Sequence, residues 1–150
     1  MQGASATESL LERIQQANLR VLVVWEPILP SDWELPTTAV LGRIHRPGVV
    51  QFWDHNRLVA QQISRELASD PAGPKPHCCS WRGNLWDLAV LYPKGALWQA
   101  AAPKAVFADG PVARVQPSLG SELAALLGQR SHASLANNYF FCRTADCCQM

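Results

Sequence analysis

The chain has 150 residues, which is the length of one domain. Its 13 basic and 12 acidic side chains give a formal charge of only +1. Nucleic-acid binding needs a clustered basic surface, so this balance argues against a nucleic-acid partner. No apolar run approaches the roughly 20 residues that cross a bilayer, which argues against a membrane partner. Glu8 and Glu12 stand where a secretory signal would be basic and then apolar. We therefore expect a cytoplasmic protein with reduced thiols.

The first half of the chain is predicted to alternate strands with helices. Apolar residues at helical spacing predict a first helix over residues 7–17. The continuous apolar run at 21–25 is typical of a central strand that is covered on both faces, and Val49–Trp53 is predicted as a second strand. A short helix is predicted over 37–44, and a longer one follows Asp54, which can cap it. This order favours parallel pairing of the two strands.

The second half is predicted to begin with an insertion. Residues 69–84 contain three prolines and two glycines, which is typical of a surface segment. Residues 85–92 are apolar except for Asp87 and are predicted as a third strand. Residues 129–150 are polar and mixed in character, and we expect them to form a loosely held tail.

A proline-led hairpin and a closing helix are predicted between the third strand and the tail. The hairpin is predicted over 104–115, because Pro103 opens an apolar strand and Asp109-Gly110 is a signal for a tight turn. Apolar residues on one face predict the closing helix over 118–127.

In this order of elements the chain resembles the thioredoxin-like superfamily. The resemblance is carried by residues 21–25 with the loop and helix that follow, by residues 49–54 leading into a helix, and by Ala102-Pro103-Lys104 opening the hairpin. It implies a three-layer α/β fold over residues 1–128, with a mixed central sheet flanked by helices and an insertion before the proline-led β-hairpin. It further implies that the segment opening at Pro103 runs antiparallel beside 21–25. Pro103 would then be the family's cis-proline, unless it only shapes a turn.

The family's redox motif is missing from its usual place. The Cys-x-x-Cys of the family lies a few residues beyond the strand-ending tryptophan, where this chain has Leu29-Pro30-Ser31-Asp32. These side chains cannot provide a thiolate of lowered pKa with a partner thiol. The leading hypothesis is therefore a redox-inactive binding or accessory module and not an enzyme, with a groove for an extended peptide or a small ligand. The groove is expected to be lined by Trp25, Glu26, Leu29, Asp32, Trp33, Ala102 and Pro103.

The cysteines support an alternative hypothesis, which is soft-metal binding or thiol–disulfide exchange by displaced cysteines. Adjacent thiols suit soft ions such as copper(I) or zinc, and no other cofactor is expected. Because adjacent α-carbons are about 3.8 Å apart, less than a disulfide usually accepts, neither adjacent pair is expected to close on itself. The alternative predicts that the cysteines of the insertion lie close to those of the tail or to Pro103. The competing interpretation is that they are dispensable surface thiols. The candidate ligands are His77, Cys78, Cys79, Cys142, Cys147 and Cys148.

A third hypothesis, a small hydrolase or isomerase, rests on polar residues after two predicted strands. Glu26 follows the first strand, and Asp54 and His55 follow the second. The carboxyl ends of parallel strands are where α/β sheets bind ligands, and a carboxylate beside a histidine can act as general acid and base. Asp54 also has a structural interpretation, as the cap of the following helix.

Overall fold

The computed structural model describes residues 2–14, 19–29, 34–128 and 138–143 of the chain. These residues form an α/β fold with four helices and seven strands. The helices are α1 (Gln2–Arg13), α2 (Thr38–Leu41), α3 (Leu58–Ser69) and α4 (Val112–Gly128). The strands are β1 (Leu19–Trp25), β2 (Val49–Trp53), β3 (Ser80–Trp81), β4 (Asn84–Leu85), β5 (Leu88–Leu91), β6 (Phe107–Asp109) and β7 (Asn138–Arg143).

Five of these strands form one mixed sheet, in the order β2-β1-β7-β5-β6. β1 pairs in parallel with β2, with Val21 opposite Val49, and in parallel with β7 on its other side. β5 pairs antiparallel with both β7 and β6. The predicted central strand at 21–25, the strand Val49–Trp53 and the parallel pairing of the two are confirmed.

The sheet is covered on both faces, as a mixed α/β architecture requires. On one face, Val21, Val23 and Trp25 belong to a core that also contains buried residues of α1 and α4. On the other face, Val24 belongs to a second core with buried residues of α3. β5 contributes to both cores, and all four of its residues are buried. The alternation of β1 and β5 side chains between two cores follows from the two-residue period of a strand.

The predicted hairpin is wrong. β6 spans only three residues and pairs with β5, not with β1 or with a following strand. The chain then passes through a cis Gly110–Pro111 peptide bond into α4, which begins at Val112. Val112, Val115 and Leu119 are buried at helical spacing, so the segment after Pro111 continues the closing helix instead of forming a strand. Among the described residues the cis bond at Pro111 is the only one, so Pro103 is not a cis-proline.

The strand beside β1 is also not the predicted one. Residues 138–143, which were expected to lie in a loosely held tail, form β7, whose backbone pairs with β1 from Leu19 to Val24. The segment that opens at Pro103 leads to β6 at the far edge of the sheet, with β7 and β5 between it and β1. The sheet therefore extends past residue 128, where the domain was expected to end.

Tyr92, at the end of β5, is expected to resist ionisation in the folded protein. Its side chain is buried in the α3 core, and burial, together with the nearby Glu66 carboxylate, raises the pKa of Tyr92 above its ordinary value. A raised pKa contributes stability that is present below the unfolded pKa and is lost as the pH rises past about 10. In a Tyr139→Phe variant, which leaves Tyr92 as the one tyrosine, tyrosinate absorbance should appear only together with unfolding. Ordinary titration of a still folded protein would contradict this prediction.

Candidate functional site

The described residues of the predicted groove are not brought together. Trp25 is buried in the core that faces α1 and α4, where its Nε1 donates to Gln51 Oε1 at 2.8 Å. Ala102 belongs to the core on the opposite face of the sheet. Leu29 is exposed, and Asp32 and Trp33 lie outside the described residues. The groove residues that the structure describes therefore share no common surface.

Backbone register places the entry to β6 at the other end of the sheet from Trp25. Trp25 is the last residue of β1. β6 begins at Phe107, which pairs with Leu91, and this register continues through β7 to Val21 near the start of β1. Pro103 precedes β6, so the chain that carries it enters the sheet from the Val21 end. A ligand at the end of β1 would not meet the backbone before Pro103 as the groove requires.

The Asp54 carboxylate of the third hypothesis caps a helix. Asp54 Oδ1 accepts a hydrogen bond from Leu58 N at 2.9 Å, and Asp54 Oδ2 accepts one from Val59 N at 2.7 Å. Both oxygens thus satisfy backbone donors in the first turn of α3, which is the structural role expected of a cap. Glu26 is fully buried, and His55 is exposed, with its ring 6.1 Å from that of Trp53.

A different group of residues forms the best-organised polar site, on residues 77–87, which we call the Cys78 loop. Cys78 and Cys79 are joined in a disulfide, so the expectation that adjacent cysteines would not close on each other is wrong for this pair. The physical reason lies in the backbone, because Cys79 has a left-handed φ of 66°. In extended backbone the side chains of neighbouring residues point to opposite sides, whereas this conformation turns the two sulfurs toward each other. Cys78 is half-buried and Cys79 is only 6% exposed.

Asp109, the last residue of β6, anchors the start of the Cys78 loop. Its Oδ1 accepts a hydrogen bond from His77 N at 2.9 Å, and its Oδ2 lies 3.0 Å from His77 Nδ1. Asp109 Oδ1 also accepts from Gly110 N at 2.9 Å. Partial burial acts to raise the pKa of Asp109, but the hydrogen bonds from His77 and Gly110 outweigh it and lower the pKa below its ordinary value. The carboxylate therefore fixes His77 at both its backbone and its ring.

Backbone hydrogen bonds and close packing hold the rest of the loop. Cys79 O accepts a hydrogen bond from Trp86 N at 3.0 Å, and Asp87 O accepts one from Val112 N at 3.1 Å at the start of α4. Gly110 packs so closely that a Cβ built on it would lie 3.1 Å from Cys79 Sγ and 2.5 Å from Asp87 O. The disulfide thus lies against the junction of β6 and α4.

Backbone conformation also distinguishes this loop. Four non-glycine residues with positive φ occur in the described part of the chain, and three of them, Cys79, Arg82 (49°) and Asp87 (44°), lie in the Cys78 loop. Such conformations are costly for side chains other than glycine and cluster at functional sites. In the segment between Cys79 and Asp87, β3 and β4 form a small hairpin. Trp81 near its tip is exposed, and the Arg82 guanidinium lies 4.6 Å from the centre of the Trp81 ring.

The remaining cysteines are only partly placed. Cys142 lies in β7, where its backbone pairs with Val23 and Ala89. Ala89 in turn pairs with Asp109, so Cys142 and Asp109 lie in register two strands apart, about 10 Å between backbones. Cys147 and Cys148 lie outside the described residues. The proximity of the insertion cysteines to those of the tail therefore stays a prediction.

Sequence reasoning identified His77, Cys78 and Cys79 but missed the residues that hold them. Asp109 and Gly110 were assigned to a hairpin turn, because an Asp-Gly pair is a strong turn signal when only local sequence is considered. The contact between residues 77 and 109 joins segments far apart in the chain, and no local pattern indicates it. Proline at 111, directly after Asp-Gly, is the signal that a different structure follows.

Two kinds of feature are absent from the described residues. No helix there is long and apolar enough to cross a membrane. In the same part of the chain, no three or more His, Cys, Asp or Glu side chains are grouped so that they could hold a metal ion. Comparison of the chain with protein-family models, with curated proteins and with solved structures gave no significant match.

Proposed function

We propose that this chain is a thioredoxin-like domain that carries out thiol–disulfide exchange at Cys78–Cys79 instead of at the usual loop. The observation that carries the proposal is the bond between these two cysteines on a surface loop that His77 and Asp109 hold in place. A disulfide in the cytoplasm, the compartment we propose for this protein, is usually transient and either catalytic or redox-sensing.

Several features support the thioredoxin-like part of the proposal. The parallel pair of β1 and β2, the antiparallel pair of β5 and β6 and the closing helix α4 occur in the family's order along the chain. Two features depart from the family pattern, namely the insertion of β7 between the two pairs and the absence of a cis-proline at Pro103. The proposal therefore treats β7 as an addition to a thioredoxin-like core.

The reaction follows from the unequal exposure of the two sulfurs. A thiolate of a small thiol or of a protein dithiol attacks Cys78 Sγ, because Cys79 is the more buried cysteine. The Cys78–Cys79 bond breaks, and its electron pair leaves on Cys79 Sγ. A second substrate thiolate then attacks the substrate sulfur of the mixed disulfide, and Cys78 Sγ leaves. Two substrate thiols become one disulfide, the pair gains two electrons, and the two protons of the substrate thiols end on Cys78 and Cys79.

The experiment that tests this proposal follows the redox state of the pair in a glutathione buffer. We expect the peptide that contains Cys78 and Cys79 to lose two hydrogens on oxidation and to regain them on reduction, as read by mass spectrometry. A variant with serine at Cys142, Cys147 and Cys148 should behave in the same way, because it retains the pair. Cys78→Ser should abolish both the mass change and any reduction of a model disulfide.

Two results would contradict the proposal. One is a pair that stays as free thiols when excess glutathione disulfide is present. The other is a pair that stays closed in the presence of a strong dithiol while the protein remains folded. Either result would leave the redox-inactive binding module as the better interpretation.

A further inference from the structure

Among the side chains that the structure describes, the reduced Cys78 loop offers two sulfurs and no third soft ligand. Cys78 and Cys79 are neighbours in the chain, and their sulfurs lie on the same side of the backbone because they can bond to each other. The ring of His77 is held by Asp109. No third metal-binding side chain joins them among the described residues.

This arrangement suits some metal geometries less well than others. A structural zinc site needs about four ligands in a tetrahedron. A two-coordinate copper(I) or mercury(II) centre places its two sulfurs on opposite sides of the metal, so sulfurs that lie within bonding distance of each other would have to move apart to hold it. A trivalent arsenic atom that carries one organic group is different, because it is pyramidal and binds two sulfurs at a narrow angle. Sulfurs that can close to a disulfide suit that angle.

We propose that the reduced Cys78–Cys79 pair is a binding site for trivalent arsenic compounds that carry one organic substituent. This inference rests on the proposed function in one respect, which is that the pair can be reduced in the folded protein. Two As–OH groups of the arsenical are replaced by two As–S bonds, and each thiol proton leaves with a hydroxide as water. No electron is transferred, so the step needs no further reactant.

The loop is open enough for this reaction. His77 has 88% of its side chain exposed, Ser80 is also exposed, and the half-buried Cys78 lies between His77 and Cys79. On its inner side, Cys79 Sγ packs against the backbone of Gly110. We therefore expect Cys78 to react first and Cys79 to close the ring in a second, intramolecular step.

The test uses the reduced 150-residue chain and phenylarsine oxide as the probe. The rival site is the second adjacent pair, Cys147–Cys148, so the key variant carries serine at Cys142, Cys147 and Cys148. This variant should bind one equivalent of the probe, read by intact-protein mass and by loss of two titratable thiols. Cys78→Ser or Cys79→Ser in that background should weaken binding by at least about a hundredfold. A single sulfur forms one As–S bond and lacks the high effective concentration of a second thiol on the neighbouring residue. A small dithiol should remove the probe, and prior oxidation of the pair should prevent its binding.

The outcomes distinguish this inference from the proposed function. Reversible oxidation of the pair without arsenical binding would overturn the inference and leave thiol–disulfide exchange standing. Arsenical binding by a pair that never oxidises would overturn the exchange proposal and support the arsenic site. Probe binding that survives Cys78→Ser with Cys79→Ser but disappears on loss of Cys147 and Cys148 would assign the site to the tail and overturn the inference.

Discussion

Replacing Gly110 with alanine is expected to lower the free energy of unfolding by about 2 to 3 kcal/mol, the upper part of the roughly 1 to 3 kcal/mol that overpacking a well-packed site costs. The added Cβ would lie 2.5 Å from the carbonyl oxygen of Asp87 and 3.1 Å from Cys79 Sγ. The nearest atom belongs to the backbone, so no side-chain rotation can relieve the clash. That carbonyl also accepts the hydrogen bond from Val112 N at the start of α4. The structure must therefore separate β5 from α4 or push Cys79 outward.

Urea unfolding measures the loss of stability, and Gly128→Ala is the matched control. A Cβ on Gly128, the last residue of α4, meets no atom within 4 Å, so this substitution should be neutral or slightly stabilising. We also expect Gly110→Ala to alter the rate at which the Cys78–Cys79 disulfide is reduced, whereas Gly128→Ala should not. Equal stability of the two variants would show that residues 87 and 110 do not approach each other as described.

The parts of the fold that the sequence predicted correctly have strong local patterns. β1 and β2 are compact apolar runs, and α3 follows a carboxylate that can satisfy its first amides. Their parallel pairing follows from the helical segment between them. The third predicted strand was correct only in part, because the left-handed Asp87 divides it into β4 and β5. That division depends on tertiary contacts and not on the apolar pattern.

The errors have one physical origin, which is that strand neighbours are set by long-range pairing. Residues 138–143 contain the aromatic run Tyr139-Phe140-Phe141, a local strand signal, but their polar surroundings favoured a tail. Nothing local indicates that this strand lies between β1 and β5. The segment after Pro111 fits a short strand as well as a helix until Leu119 and Leu123 extend its buried face. The sequence therefore predicted that the segment opening at Pro103 lies directly beside β1, whereas β7 and β5 lie between them.

The candidate site shows the same division between local and long-range information. Residue type alone drew attention to His77, Cys78 and Cys79, since adjacent thiols are chemically distinctive. The bond between the cysteines depends on the left-handed conformation of Cys79. The sequence does not predict this conformation, because cysteine rarely adopts it. Asp109 became part of the site only through its distance from His77 in space. The groove failed because it needed Pro103 and Trp25 at the same end of the sheet.

Replacing Asp109 with alanine is expected to lower the free energy of unfolding by about 2 kcal/mol, because hydrogen bonds from His77 N, His77 Nδ1 and Gly110 N are lost. The Cys78 loop should also open more easily. If reduction of the disulfide proceeds through local opening, a loss of about 2 kcal/mol in the closed loop speeds reduction about thirtyfold. The measurement is the rate of reduction by a small dithiol, with Asp70→Asn as the control. Asp70 is also a carboxylate of lowered pKa, but its side chain pairs with Lys104 and accepts a hydrogen bond from Ala72 N, and neither residue belongs to the Cys78 loop.

The pH dependence of this effect follows from the lowered pKa of Asp109. Burial acts to raise that pKa, and the hydrogen bonds from His77 and Gly110 lower it by more. A carboxyl whose folded pKa lies below its unfolded value contributes stability that is fully present above about pH 4 and is lost as the pH falls through the folded value. The ratio of the reduction rates of Asp109→Asn and wild type, in which the pH dependence of the attacking thiolate cancels, should therefore be largest near neutral pH and should fall toward one in acid. A ratio that stays constant with pH would show that the charge of Asp109 does not hold the loop.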